Sequence, residues 1–334
     1  MNSYERTHAR LRGEPVDRLP AHPLFMIYAA DLVGASYADY VRDYRVLVQG
    51  QLALVDRFAM DVVSCCSDAW REAHDCGAEL VYSDHEPPRA RRPVIAEPAD
   101  LARMRTPDPR GGGRMTDRLR AVESFSGQLR GEVCILGWVE GPAAEAADLY
   151  GLNEFMLATL ADPGFACALM DWVTEMEVRF AVAQVEAGAD IIGIGDAAAS
   201  LVSPGFYEAE VLPRELRIVD AVHAAGAAVR LHICGSLHGK FAALAETRAD
   251  IIDVDYPQRL AEVRAAVGPG VCLAGNLNPV EDILRGTPAG IREGLARCHA
   301  EAGARYILAA GCEIPPGTPE ENVQSLFEYA RSTT

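Results

Sequence analysis

The chain has 334 residues, of which 49% are hydrophobic and 24% are charged, and this is the composition of a globular protein with ample material for a core. Its net charge of -17 argues against nucleic acid or an anionic membrane surface as the main partner, because both favour a basic surface. No apolar run is long enough to span a bilayer, and the amino-terminal segment lacks the apolar core of a signal peptide. We therefore expect a cytoplasmic protein.

Eight short apolar runs are predicted to form β-strands. They span residues 18–28, 60–70, 132–142, 189–199, 228–236, 249–257, 270–279 and 304–316. Amphipathic segments between the later runs end on Gly188 and Gly226, and glycine is well suited to a helix C-cap. Such alternation predicts a parallel sheet covered by helices, and eight strands are the number that closes a (β/α)8 TIM barrel. An open doubly wound α/β sheet is the alternative, but no GxGxxG turn follows any run.

Residues 74–131 interrupt this alternation. The stretch ELVYSDHEPPRARRPVIAE has the pattern of a β-hairpin, and the glycine-rich loop TPDPRGGGR follows it. We interpret the segment as a hairpin-bearing insertion between the second and third strands that covers one rim of the barrel. The chain as a whole, residues 1–334, is expected to form a single domain, because TIM barrels reach this size.

Most of the notable polar residues fall at the carboxyl ends of the predicted strands, where TIM barrels hold their active sites. In chain order they are Asp68, Glu140, Asp196, His232, Cys234, Asp253, Asp255, Asn276, Asn278, Cys312 and Glu313. If the strands close into a barrel, these side chains converge on one mouth. The mouth is therefore the predicted site.

His232 and Cys234 are two residues apart in a predicted strand, so their side chains point to the same face. Imidazole nitrogen and thiolate sulfur are preferred zinc ligands, and a catalytic zinc site keeps one of about four positions open. Cys312 would supply a third ligand across the narrow mouth. Three carboxylates are candidates for the remaining position: Glu140, Asp196 and Glu313. The alternative is plain burial, because free cysteines and single histidines on strands commonly belong to the core.

Asp196 directly follows the strand end that contains Gly193 and Gly195. Small residues there would leave room for a bulky ligand, so we rank Asp196 above the other aspartates as a site residue. Its alternative role is the N-cap of the segment AAASLVSP, a position that aspartate favours. Asp253 and Asp255 share a face and could act as a general base or orient a ligand, and a solvated strand end explains them equally well.

Seven motifs spread over nearly the whole chain carry a family resemblance. They are RGEPVDRLP, SDAWREAHDCGAEL, GWVEGPAAEAADLYG, AGADIIGIGDAAASLVSP, RLHICG, AGNLNPVEDILRGTP and AAGCEIPPGTPEENV. Together they resemble the uroporphyrinogen decarboxylase superfamily, and within it the zinc-dependent corrinoid methyltransferases. The resemblance implies a single (β/α)8 barrel, a zinc ion held by His232, Cys234 and Cys312, and a methylcorrinoid such as methylcobalamin as the methyl donor.

The decarboxylase branch fits the sequence less well. The arginine with which decarboxylases bind substrate carboxylates is missing from HPLFMIYAADLVG, their histidine falls on Cys312, and their tyrosine falls on Asp148. Asp68 does match the decarboxylase aspartate. The His-x-Cys pair, however, is present in the methyltransferases and absent from the decarboxylases, so the resemblance favours methyl transfer.

The implied reaction moves a methyl group from a protein-bound methylcorrinoid to a thiol that zinc activates, with a small corrinoid protein as partner. Catalytic roles are predicted for Asp68, Glu140 and Asp196, and contacts with the corrinoid for Gly193, Gly195 and Asn276. Three alternatives remain: tetrahydrofolate as the acceptor, a porphyrinogen decarboxylase, and a non-catalytic corrinoid-binding module. The acceptor stays open, although a sulfonate thiol such as coenzyme M would require a cationic or amide-rich pocket, and few lysines or arginines stand at the strand ends.

Overall fold

A computed structural model describes residues 1–333, and this part of the chain contains nine strands. They are β1 (Val62–Ser64), β2 (Leu80–Val81), β3 (Arg89–Ala90), β4 (Cys134–Glu140), β5 (Ile191–Gly195), β6 (Ala228–Ile233), β7 (Ile251–Val254), β8 (Cys272–Leu277) and β9 (Tyr306–Ala310). Seven of them form one parallel sheet in the order β1-β4-β5-β6-β7-β8-β9, and β2 pairs with β3 in an antiparallel hairpin. The hairpin expected within residues 74–131 is therefore present.

Helices connect and cover the strands of the sheet. The α-helices are α1 (Ser3–Arg12), α2 (Ile27–Leu32), α3 (Tyr37–Arg42), α4 (Tyr44–Phe58), α5 (Arg71–Asp75), α6 (Arg114–Leu129), α7 (Pro142–Tyr150), α8 (Leu152–Ala161), α9 (Pro163–Ala187), α10 (Pro204–Phe206), α11 (Leu212–Ala225), α12 (Phe241–Leu244), α13 (Leu260–Val267), α14 (Pro288–Ala302) and α15 (Glu320–Ser332). Short 3-10 helices span Pro98–Arg103 and Ala197–Ser200, and π-helices span Tyr207–Val211 and Pro279–Leu284. As predicted, α9 and α11 end on left-handed glycines, Gly188 and Gly226.

The first predicted strand, residues 18–28, is the element that differs most from expectation. Only Ala21 forms a bridge, which is parallel and joins it to Leu308 of β9. Pro20 and Pro23 flank this position, and because proline has no N–H it cannot extend a strand ladder. The segment still links both edges of the sheet, since His22 N donates to Leu308 O and Ala21 O accepts from Asp61 N, just before β1. It closes the predicted TIM barrel without forming a full strand.

The barrel wall is a continuous apolar core. All residues of β1, β4, β5, β7 and β9 are buried. Parallel strands covered by helices are expected to show this run of buried residues rather than an alternating pattern. No helix among the described residues is both long enough and apolar enough to cross a membrane. The division of the chain into one domain with an insertion stays a prediction.

Candidate metal centre

The register of the sheet places four residues in one row at the mouth of the barrel. Glu140 pairs with Gly195, Gly195 pairs with His232, and His232 pairs with Asp253. The row lies at or near the carboxyl ends of β4 to β7, which is the end where TIM barrels hold their active sites. Three of the polar residues predicted at the mouth, Glu140, His232 and Asp253, therefore lie in this row.

His232, Cys234 and Cys312 form a cluster whose ligand atoms all lie within 4.8 Å of one another. His232 Nε2 lies 2.8 Å from Cys234 Sγ, and the sulfurs of Cys234 and Cys312 are 3.8 Å apart. Two thiolates at tetrahedral positions around zinc, each about 2.3 Å from the ion, would be separated by about 3.8 Å. The donor set and the spacing of the sulfurs both fit zinc. No other group of three His, Cys, Asp or Glu side chains in residues 1–333 is spaced to hold a metal ion.

Two tight backbone approaches position the cysteines. After β6 the chain turns at Gly235, which has a φ of 86°, and Gly235 N donates to Asp255 Oδ2 at 2.7 Å. Before Cys312 stands Gly311, where a Cβ atom would lie 2.7 Å from Tyr256 N. Any larger residue would push the end of β9 away from the turn after β7. Asp255 is thus a loop-positioning residue rather than a solvated strand end.

His232 is held by a buried carboxylate. Its Nδ1 lies 3.1 Å from Asp253 Oδ2, which leaves Nε2 directed at the cysteines. Arg230 contacts the same oxygen at 2.6 and 3.0 Å. Burial opposes the charge on both groups, yet Arg230 holds the pKa of Asp253 below its usual value, and Asp253 raises the pKa of His232 to about 10. Of the two roles left open by the sequence, the structure favours Asp253 as the residue that orients His232.

Arg230 is not among the site residues predicted from the sequence, because it stands before the strand end. Strand periodicity was the signal that could have found it, since residues 230 and 232 share a face. Its side chain is only 1% exposed and lies below the mouth, where it neutralises Asp253.

The three candidate ligands line a cavity of about 250 Å³, which we call the metal-site cavity. Its other lining residues are Leu24, Met26, Tyr37, Cys66, Asp68, Ala69, Pro87, Trp138, Glu140, Gly195, Ala197 and Glu313. Pro87 comes from the turn between β2 and β3, so this turn adjoins the cavity. A largely apolar cavity beside a three-ligand centre leaves space for a fourth, exchangeable ligand.

Two of the proposed fourth ligands line this cavity but are bonded elsewhere. Glu140 receives a hydrogen bond of 2.6 Å from Arg71, and Glu313 accepts from the backbone N–H groups of Met26 and Ile27 at 3.2 and 2.9 Å. Burial raises the pKa of Glu140 to about 8, although Arg71 opposes this, and burial raises the pKa of Glu313 to about 7. Neither lies within the metal cluster.

Asp196 is buried and faces a different element. Its carboxylate accepts hydrogen bonds from the backbone N–H groups of Ala144 at 2.7 Å and Ala143 at 3.3 Å, in the first turn of α7. It does not line the metal-site cavity. The residue therefore caps a helix, but that helix is α7 rather than the AAASLVSP segment considered on the sequence. Burial raises its pKa to about 7.

Asp68 lies at the cavity wall with a buried cation behind it. Arg114 contacts its two oxygens at 2.6 and 2.9 Å, and Ser67 donates to it at 2.7 Å. Burial opposes ionisation, but Arg114 holds the pKa of Asp68 below its usual value. Asp68 can therefore face a substrate as a carboxylate. Neither Arg114 nor Arg71 was singled out on the sequence, because both stand outside the predicted strands.

Of the three residues predicted to contact a corrinoid, Gly195 lines the metal-site cavity and Gly193 and Asn276 do not. A Cβ atom on Gly193 would lie 2.2 Å from Trp138 Cε3, so this glycine makes room for the indole rather than for a ligand. Gly195 lines the metal-site cavity, again beside Trp138. Asn276 points away from it, because its Nδ2 donates to Gln258 O at 2.6 Å and the residue lines a separate cavity. The sequence did not point to Trp138, because the glycines that make room for its ring, Gly193 and Gly195, lie on the neighbouring strand.

The fold and the cluster together define a TIM barrel with a candidate Cys2His metal centre at its mouth. The family model described as uroporphyrinogen decarboxylase (URO-D) matches residues 2–333, and the chain belongs to this family. The family predicted from the sequence is thus confirmed.

Relatives within the family carry two kinds of name. The chain is 29% identical to the methylcobamide:CoM methyltransferase MtbA of Methanosarcina mazei, over 98% of this chain and 97% of that protein. It is 28% identical to a uroporphyrinogen decarboxylase of Roseiflexus sp., over 98% of both chains. Among solved structures, a methyltransferase from Methanosarcina mazei matches with a TM-score of 0.91 and 25% identity over 99% of both chains. The comparisons confirm the predicted methyltransferase branch.

Proposed function

We propose that this protein is a zinc-dependent methyltransferase that moves a methyl group from a methylcorrinoid to a thiol. The observation that carries the proposal is the cluster of His232, Cys234 and Cys312 at the edge of the metal-site cavity. Zinc bound there would lower the pKa of a thiol substrate so that it is a thiolate near neutral pH. In the overall reaction the S–CH3 bond forms as the Co–CH3 bond breaks, the electron pair stays on cobalt, and the thiol proton goes to solvent.

The protein's own groups prepare the site for this reaction. Asp253 and Arg230 hold the imidazole of His232 in one orientation, with Nε2 toward the cluster. Leu24, Met26 and Trp138 supply apolar walls that limit access of water to the reacting sulfur. A thiolate shielded from water is more reactive toward a methyl group, because little hydration must be removed before attack.

The decarboxylase alternative is less well supported by the cavity. Porphyrinogen substrates carry several carboxylates, and the metal-site cavity has no lysine or arginine among its lining residues. Tetrahydrofolate as acceptor would leave the open zinc position without a thiol to bind.

The methyl donor is proposed to arrive on a small corrinoid protein. Four large apolar side chains are exposed around the mouth: Leu152, Leu201, Tyr256 and Val280, at 47%, 60%, 51% and 38% exposure. All four line cavities that adjoin Cys234 or Cys312. An exposed apolar rim of this kind is typical of a protein interaction site.

A panel assay tests the proposed function. The zinc-loaded protein is incubated with methylcobalamin and, in parallel, a thiol, tetrahydrofolate or no acceptor, and separately with uroporphyrinogen. We expect a methyl thioether as the product, in proportion to the methylcobalamin consumed. Methylation of tetrahydrofolate alone, or decarboxylation of the porphyrinogen, would contradict the proposal.

A further inference from the structure

Three cavities are lined by Cys234, by Cys312 or by both. The metal-site cavity adjoins both cysteines. A second cavity of about 370 Å³ adjoins Cys234 and extends to Asp148 and Leu201, and a third of about 440 Å³ adjoins Cys312 and extends to Tyr256 and Val280. A thiol that reaches the metal centre must place the rest of its molecule in one of these three spaces.

The only basic side chain among the lining residues of these cavities is the candidate metal ligand His232. The linings contain six carboxyl side chains, namely Asp68, Asp148, Glu140, Asp255, Glu281 and Glu313, and no lysine or arginine. This statement covers every lining residue, since all lie in the part of the chain that the structure describes. An anionic group on a substrate would therefore find no lysine or arginine partner at the mouth.

Buried cations behind the walls do not change this conclusion. Arg71 and Arg114 are 0% and 6% exposed and are already paired with Glu140 and Asp68. Lys240 is 4% exposed and donates its ammonium hydrogen bond to the backbone carbonyl of Ser200 at 3.0 Å. Each of these cations has a partner within the protein, and none lines the three cavities.

We propose that the methyl acceptor is a thiol without an anionic group, either uncharged or amine-bearing, and that thiols with a sulfonate or carboxylate are disfavoured because no lysine or arginine lines the mouth. A sulfonate or carboxylate that enters such a cavity gives up hydration without gaining a charge-assisted hydrogen bond from a lysine or arginine, whereas an amine finds carboxyl oxygens such as those of Asp255 and Glu281 as acceptors. The proposal rests on the proposed function and separates this chain from relatives whose names specify CoM, a sulfonate thiol.

A matched series of two-carbon thiols tests the proposal. Cysteamine, 2-mercaptoethanol and 2-mercaptoethanesulfonate differ only in the group distal to sulfur. We expect kcat/KM with methylcobalamin, corrected for the uncatalysed rate of each thiol, to be at least about tenfold lower for the sulfonate than for either of the others. Calorimetric titration of the three thiols into the metal-free protein and into the zinc-loaded protein should rank their affinities in the same order as kcat/KM.

The failures of the two proposals can be told apart. Turnover of all three thiols with the sulfonate equal or preferred would overturn the inference about charge and leave methyl transfer standing. Turnover of none of them would overturn the proposed function and the inference together.

A charge-reversal variant adds a direct test. Glu281 is exposed, pairs with Arg285 at 2.6 Å and lines the cavity beside Cys312, so Glu281→Lys brings a cation to the mouth. We expect the preference against the sulfonate to weaken several-fold in this variant. Glu328→Lys is the matched control, since it makes the same charge change on the exposed face of α15 opposite Arg292. An equal change in preference in both variants would contradict a local effect of the mouth.

Discussion

Replacing two buried glutamates by glutamine should change how the stability of this protein depends on pH. Glu145 on α7 and Glu177 on α9 are 0% exposed, and none of their four carboxyl oxygens has a hydrogen-bond partner in the protein. Burial raises the pKa of both groups, and each is further raised by neighbouring carboxylates, with Glu177 acting on Glu145 and Glu72 acting on Glu177. Both carboxyl groups therefore keep their protons to a higher pH in the folded protein than in the unfolded chain.

The magnitude follows from the difference in bound protons. Above about pH 4.3 the unfolded chain releases these protons while the folded chain keeps them, so the free energy of unfolding falls by about 1.4 kcal/mol per pH unit for each group. The loss continues until the pH passes the raised pKa of the folded state. Within that interval one glutamate costs about 1.4 kcal/mol for each pH unit, and Glu177→Gln should remove this share of the pH dependence.

Urea denaturation followed by circular dichroism at pH 5, 6 and 7 measures the effect. The stability difference between Glu177→Gln and the wild type should grow in favour of the variant by about 1.4 kcal/mol per pH unit. Glu175→Gln is the control, because Glu175 lies on the exposed face of the same helix and pairs with Arg179. A difference that stays constant from pH 5 to pH 7 would refute the reasoning, since it would mean that Glu177 is ionised in the folded state.

Three further substitutions probe the site and its support. Asp253→Asn should weaken zinc binding by about 10- to 100-fold in a competition assay with a chromophoric chelator, because the anionic partner of His232 is lost; unchanged affinity would exclude an orienting role. Asp196→Asn should lower the melting temperature with little change in zinc affinity, since its contacts are with α7, and a selective loss of zinc would restore the metal-site role first assigned to it. Gly193→Ala should destabilise the fold by about 1 to 3 kcal/mol in urea, because its Cβ atom would lie 2.2 Å from the ring of Trp138, and a neutral effect would show that the indole moves freely.

Much of the architecture could be predicted because strands and helices follow local rules. Apolar runs and glycine caps give seven of the eight strand positions, together with the ends of α9 and α11. The exception is the first run, where Pro20 and Pro23 prevent a regular ladder around Ala21. Proline placement within an apolar run was the available signal.

A site residue could be predicted from the sequence only where the alternation of side chains along its own strand fixes the face to which its side chain points. His232 and Cys234 come from one strand pattern, and Cys312 follows once a barrel is assumed. Asp196 and Asn276 stand at strand ends as well, but their side chains bond to α7 and to the loop after β7. The last residue of a strand can turn either way, so spacing alone does not decide whether it faces the mouth.

The central claim is that zinc at His232, Cys234 and Cys312 makes this protein a thiol methyltransferase, and the most direct test couples metal content to turnover. Zinc per chain and the rate of methyl thioether formation from methylcobalamin are measured together for the wild type, for the chelated and re-zincated wild type, and for Cys312→Ala. We predict about one zinc per chain, activity that is lost on chelation and restored with the metal, and loss of both zinc and activity in a folded Cys312→Ala variant. Methyl transfer at an undiminished rate without zinc, or one zinc per chain without any transfer to a thiol, would contradict the account.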